Sequence, residues 1–224
     1  DYDENGVERD DSSNGWFIGK AANEIWYYET DGVWQNTPED IKQAALVGQK
    51  PGDPKVVNNY TEDDKILSDG TRVPVYNDKD KTFLGPQTPP IYWNMRNDFE
   101  WKDFTFAFSL YSYMGHKSLS GNWLNQDNGG SQVTNCFNMP DKKYWTPDNP
   151  TNDYCRLDAK GPNTGLAGGV SKLYNRSFLR LDNISVGYTL PREMTRKFMV
   201  DRIHLTFSCN NVFTISGWEY GDPE

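Results

Sequence analysis

Hydrophobic and polar positions alternate in four runs between residues 91 and 215. In IYWNMRNDFEW, Ile91, Trp93, Met95, Asn97, Phe99 and Trp101 share one side, and Tyr92, Asn94, Arg96, Asp98 and Glu100 the other. FTFAFSLYSY sets Phe104, Phe106, Phe108 and Leu110 against Thr105, Ala107 and Ser109. SFLRLDNISVGYTLP starts with charges at Arg180 and Asp182. It then settles into Ile184, Val186, Tyr188 and Leu190 opposite Ser185, Gly187 and Thr189. RIHLTFSCNNVFTIS places Ile203, Leu205, Phe207, Cys209, Phe213 and Ile215 on one side and His204, Thr206, Ser208 and Asn210 on the other. A period of two predicts strands with one apolar face.

The connections between these runs are short, long and short. Lys102 and Asp103 with their neighbours make a tight hairpin, and REMTRKFMVD joins the last two runs. Residues 115–175 between them have no periodicity and are rich in Asn, Gly, Pro and Asp. A long stretch without an element of its own is uncommon in a compact soluble domain. Runs of about ten residues are long enough to cross a bilayer at a tilt. Brief turns at one end and extended loops at the other are the pattern of an outer-membrane barrel. The small, polar second face suits a wet or plugged lumen, and the aromatics near the ends of the apolar faces suit the headgroup level. The fold class expected is therefore all-β, with antiparallel transmembrane β-barrel strands and long extracellular loops. A secreted, aromatic-rich carbohydrate-binding β-sandwich is the alternative.

Five segments follow. Residues 1–90 read as an extracellular loop region, with a strand near 16–28 and a short helix near 38–47. For that helix TPED supplies a Thr cap, a Pro at the first position and early acids. Residues 91–113 form one transmembrane hairpin, 114–176 a long extracellular loop, 177–215 a second hairpin and 216–224 the start of another loop.

Composition sharpens this picture at a few points. With 32 acidic against 23 basic residues the net charge is -9, which argues against nucleic acid as a partner. Mean hydropathy is -0.83, and no apolar run reaches the ~18 residues of a transmembrane helix. That excludes helices only, because barrel strands average out in a hydropathy window. Aromatics make up 14%, with 8 Trp and 13 Tyr, which suits membrane girdles and carbohydrate surfaces alike. The opening DYDENGVERDD lacks an initiator Met and an apolar signal segment, so the chain is expected to begin inside something longer or after processing. Cys136 and Cys155 share a polar segment and could pair in an oxidising compartment, while Cys209 sits in a strand. His116 and His204 stand apart, without triad or zinc spacing. No carboxylate pair is singled out for glycosidase-like work. No catalytic residue, metal or cofactor is expected, and the chain does not read as an enzyme.

The stretch SFLRLDNISVGYTLP, a short turn and then HLTFSCNNVFTISGWEYGDPE resemble the C-terminal barrel portion of SusC/RagA-like TonB-dependent outer-membrane transporters. The family's strand ending falls on Asn210, Asn211, Val212, Phe213 and Thr214, and its Gly-Asp-Pro-Glu loop on the last four residues. Upstream, GWFIG at 15–19 with DGVWQ at 31–35, KPGDPK at 50–55 and YWTPDNPT at 144–151 match in order. The resemblance implies a piece of a 22-stranded plugged barrel in the outer membrane of Bacteroidota-type bacteria. The implied work is import of oligosaccharides, or peptides in some members, under a SusD-like surface lipoprotein and driven by TonB. Implied partners are that lipoprotein, the remaining barrel strands and plug, TonB and membrane lipid.

Two departures stand out. After KPGDPK the family continues into Gly-spaced acids resembling a calcium loop; here Asp78 and Asp80 match only its later part, so a solvated acidic loop is expected. The chain also stops at GDPE, before the family's closing strand, and contains neither plug nor TonB box, so a late fragment of a transporter is expected. Under this resemblance the 115–175 loop supplies substrate contacts. Trp123, Asn125, Tyr144, Trp145 and Arg156 are the candidates, since aromatic rings stack on sugars while amides and guanidinium groups bond to hydroxyls. The competing use of each aromatic is packing within the loop or against the lipoprotein.

Overall fold

The computed structural model describes residues 2, 5–120, 126–127, 130–131, 142–166, 169–218 and 221–224. The chain divides into two units, one of residues 1–85 with 118–174 and the other of residues 86–117 with 175–224.

The second unit is built on one antiparallel sheet of four long strands, Ile91–Trp101, Phe104–Met114, Phe178–Thr189 and His204–Ser216. They are ordered fourth, third, second, first. The first two are joined by a two-residue turn in which Lys102 takes φ 57. The last two are joined through a short helix, Arg192–Thr195, and a 3-10 turn, Arg196–Phe198, ended by Met199 at φ 55.

Pairing gathers the alternating side chains into two faces. Phe104, Phe106 and Phe108 lie beside Trp101, Phe99 and Asn97 on one flank and Tyr188, Val186 and Ile184 on the other. Leu205, Phe207 and Cys209 continue the row. Nothing covers this apolar face among the described residues: Phe207 is 73% exposed and Trp101 67%. The opposite face carries Asn94, Arg96, Asp98, Thr105, Ser109, Tyr111, Arg180, Ser185 and Thr206. A small residue is needed at Gly187, where a Cβ would come within 2.3 Å of Thr105 Oγ1 and 2.7 Å of His204 Nε2.

The faces stay in phase because of an irregularity around Asp182. Leu110 and Phe108 are two residues apart, while their partners Leu181 and Ile184 are three apart on the third strand. Phe213 and Cys209, their counterparts on the fourth strand, are four apart. The extra residues are bulges, one of them accommodated by Asn211 at φ 50, a conformation that Asn tolerates better than most residues. Leu179 and Leu181 thereby join Ile184, Val186 and Tyr188 on the apolar face, and Arg180 stays on the polar one.

The first unit has a core of its own. Its helix, Pro38–Leu46, is capped by Thr37, whose hydroxyl accepts from Asp40 N at 3.2 Å. Short strands Thr30–Val33 and Pro54–Val56 pair beside it. Tyr28, Val33, Val47, Val56, Tyr76, Trp145, Cys155, Ala159 and Val170 pack together as a buried cluster. Stretches without sequence periodicity thus fold around shared apolar contacts. The solvated acidic loop expected after KPGDPK is corrected at Asp80, which is fully buried. Its carboxylate accepts from Tyr60 N at 3.0 Å and Asn77 N at 2.9 Å, satisfying backbone donors that the loop would leave unpaired.

A sheet whose two edges are unpaired and whose apolar face is bare among the described residues should not persist alone in water. The isolated 224-residue chain is expected to sediment as aggregates without detergent. A detergent-free, monodisperse monomer with a sharp, reversible melt would overturn this.

Candidate functional site

Of the five candidate residues, Trp123 and Asn125 lie outside the described residues, as does Cys136 of the cysteine pair considered above. The other three are held in the first unit, and they divide by exposure. Tyr144 is 36% exposed, and its carbonyl accepts from Asn149 Nδ2 at 2.9 Å in the turn of YWTPDNPT.

Trp145 is buried, and its indole Nε1 donates to Gln35 Oε1 at 3.0 Å. Its backbone N donates to Tyr154 O. Its ring lies against Gly52, where a Cβ would come within 2.6 Å of Trp145 Cε3 and 2.8 Å of Arg156 Cδ. Gly52 also has φ 91, so the glycine of KPGDPK serves both a left-handed turn and a close approach. The indole face that could stack on a sugar is used inside the unit.

Arg156 is spent in the same way. Its guanidinium holds Asp53 at 2.8 Å, with Nε donating to Asp53 Oδ1 at 2.9 Å, and it also pairs with Asp158. Asp53 is 1% exposed and accepts further from Lys50 N and Lys160 N. The hydrogen bond from Arg156 holds the Asp158 carboxyl below the usual carboxylate range. Burial pushes the Cys155 thiol up, away from the reactive thiolate.

These contacts bring the matched stretches together. Gln35 of DGVWQ bonds Trp145 of YWTPDNPT, while Gly52 and Asp53 of KPGDPK bind Arg156. Asn152 Oδ1 accepts from Val33 N at 3.0 Å and Gln35 Nε2 at 3.1 Å. Trp34 Nε1 donates to Gln49 Oε1 at 3.0 Å. Sequence reasoning missed Gln35 and Gln49 as partners. Two indole N–H groups in stretches without strand periodicity were the available sign, because a buried Trp N–H seeks an acceptor.

No protein-family model matches the chain. Over 209 residues, 92% of its length, it is 25% identical to TonB-dependent receptor P3 of Formosa agariphila and spans 19% of that receptor. A structure of the RagAB peptide transporter is similar to 97% of the chain, with a TM-score of 0.59, 20% identity and 22% of that chain covered. The RagAB peptide importer in its closed-closed state gives a TM-score of 0.56 over 93% of the chain and 21% of that chain, at 22% identity. The chain therefore spans about a fifth of the length of the relatives it matches.

Removing Asp53 leaves the buried Arg156 guanidinium with Asp158 and takes the acceptor from Lys50 N and Lys160 N. Asp53→Ala is expected to destabilise the first unit by about 1–3 kcal/mol, read as faster proteolysis of residues 142–166. Tyr76, whose hydroxyl donates to Val56 O, is pushed up to about 12, first by burial and then by Asp80 and Asp64. Its contribution to stability is full below the unfolded value of 10.0 and is lost as pH rises through about 12. Tyr76→Phe should remove that part of the alkaline loss of stability, followed by tryptophan emission against pH.

The matches agree with the resemblance to SusC/RagA-like TonB-dependent transporters that the motifs carry, and the chain has the fold of a stretch of such a transporter's barrel.

Proposed function

We propose that this chain is part of a TonB-dependent outer-membrane importer of oligosaccharides, working with a SusD-like surface lipoprotein. The observation that carries the reading is the four-stranded sheet with one exposed, largely apolar face and one polar face. Lipid accepts the first face, and a water-filled or plugged lumen accepts the second. The ladders satisfy the backbones of the two inner strands, as hydrocarbon requires, and one side of each outer strand. The open edges belong against neighbouring strands of a longer polypeptide. In this reading the strands do no chemistry, and the chain is not an enzyme.

A sandwich accounts for the sheet less well. It needs a second sheet over the apolar face, yet Ile215 is 62% exposed and Phe207 73%. Peptide import is the second reading of the cargo, favoured by the likeness to the RagAB peptide importer. The oligosaccharide reading rests on the family resemblance and the aromatic content. Among the described candidates Tyr144 is the one with ring surface to offer.

The test is deletion of the transporter gene in the source bacterium, followed by uptake of labelled oligosaccharides and labelled oligopeptides in parallel. Loss of oligosaccharide uptake alone, reproduced by a protonophore, supports the proposal. Loss of peptide uptake alone replaces the cargo, and no loss of either overturns the importer. In the purified transporter, Tyr144→Ala should weaken binding of the imported oligosaccharide several-fold, by about 1 kcal/mol, without altering the melt. Unchanged affinity by calorimetry would remove Tyr144 from the site.

A further inference from the structure

Arg180 is a charged residue in a strand, 7% exposed, on the polar face of the sheet. Its Nε donates to Thr214 Oγ1 at 2.9 Å and its Nη1 to the Tyr111 hydroxyl at 2.9 Å. The guanidinium lies over the Phe178 ring, 5.2 Å from its centroid. Two carboxylates complete its shell: Asp222 Oδ1 at 2.5 Å from Nη2 and Glu224 Oε2 at 3.2 Å from Nη1. They lie 42 and 44 residues further along the chain.

Residues 221–224 reach this position by a turn at Gly221, φ 106. Glu224 N donates to Asp222 Oδ1 at 3.0 Å, which fixes the shape of the turn. Glu224 accepts from the Tyr111 hydroxyl at 2.8 Å and from Tyr113 at 3.5 Å. Pro223 is buried, and its carbonyl lies 3.3 Å from His116 Nε2. Since a carbonyl only accepts, that nitrogen carries the proton. His116 is itself 3% exposed, and its Nδ1 has no hydrogen-bond partner among the described residues. Arg176 donates to Asp222 O at 3.4 Å.

From this geometry we infer that Arg180 is a positioning residue that clamps residues 221–224 back onto the polar face of the sheet, covering His116 and Phe178. The arginine of SFLRL and the acids of GDPE are then two halves of one device. The acids stay partly in water, with side chains 62% and 46% exposed, so solvent screens much of their attraction. The guanidinium is buried and would be left without its counter-charges if the turn lifted. The clamp thus fixes where the turn lies more than it stabilises the sheet. It holds whichever cargo is imported.

The test uses diethyl pyrocarbonate on the complete transporter in its own membrane, with modification of each histidine read by mass spectrometry. His204, exposed on the fourth strand, is the internal reference. In the native protein His116 should react about tenfold more slowly than His204, as expected of a group that must first be uncovered by local opening. Arg180→Met should bring His116 towards the rate of His204, and Arg180→Lys should restore part of the protection. Asp222→Asn with Glu224→Gln, which alters no strand residue, should expose His116 equally and carries the test should Arg180→Met fail to assemble. Equal reactivity of the two histidines in the native protein would overturn the clamp. So would protection of His116 unchanged in the Asp222/Glu224 double variant.

Discussion

A strand's period of two leaves no slack: a slip of one residue moves every later side chain to the other face. In this sheet the constraint is met across four strands of unequal local length. Between the same two rows of apolar residues the second strand spends two residues, the third three and the fourth four. Without the bulges, Ile184, Val186 and Tyr188 would fall opposite Leu179 and Leu181. The apolar face would break in the middle, and Arg180 would point the wrong way. The segregation of lipid-like and water-like surfaces, and the clamp built on Arg180, both depend on this one irregularity.

The strands were legible because each apolar face is uninterrupted over several steps. The third strand shows why legibility has a grain. Leu179 and Leu181 are odd, Ile184, Val186 and Tyr188 even, and the change of parity marks the bulge directly. Read only from Ile184 onward, the alternation looks strict and the irregularity is lost. On the fourth strand the extra residues come as a pair, so Cys209 and Phe213 keep the same parity and the pattern passes as regular. An even insertion is silent in a two-residue period; an odd one is not.

The first unit was legible in a different way. Its motifs stood out as matched stretches, but their roles did not follow from residue type. Trp145 and Arg156 have the chemistry of sugar ligands and are instead engaged with Gln35 and Asp53. Asp80 has the chemistry of a cation ligand or a solvated acid and instead anchors the backbone of Tyr60 and Asn77. In both cases the deciding partner lies far along the chain or on a backbone N–H. Side-chain type alone cannot report a contact of that kind. A fold built largely from irregular chain has many backbone donors to satisfy, and buried acids and amides are how this unit does so.

That division of labour bears on where specificity resides. DGVWQ, KPGDPK and YWTPDNPT bind one another, and SFLRL binds GDPE, so the stretches that carry the family likeness are the ones the scaffold uses. A likeness at 20–25% identity to the receptor and the RagAB structures reports a shared frame. On the proposed importer reading, cargo is left to the side chains that the frame does not spend. Tyr144 is the candidate proposed above, a ring at the surface held by a turn whose own bonds are made through Thr146 and Asn149. The clamp over the polar face belongs to the frame, and closing off Arg180 with the protein's own acids leaves its charge already neutralised. That face therefore presents tyrosine hydroxyls and amides, and a paired guanidinium in place of a bare one.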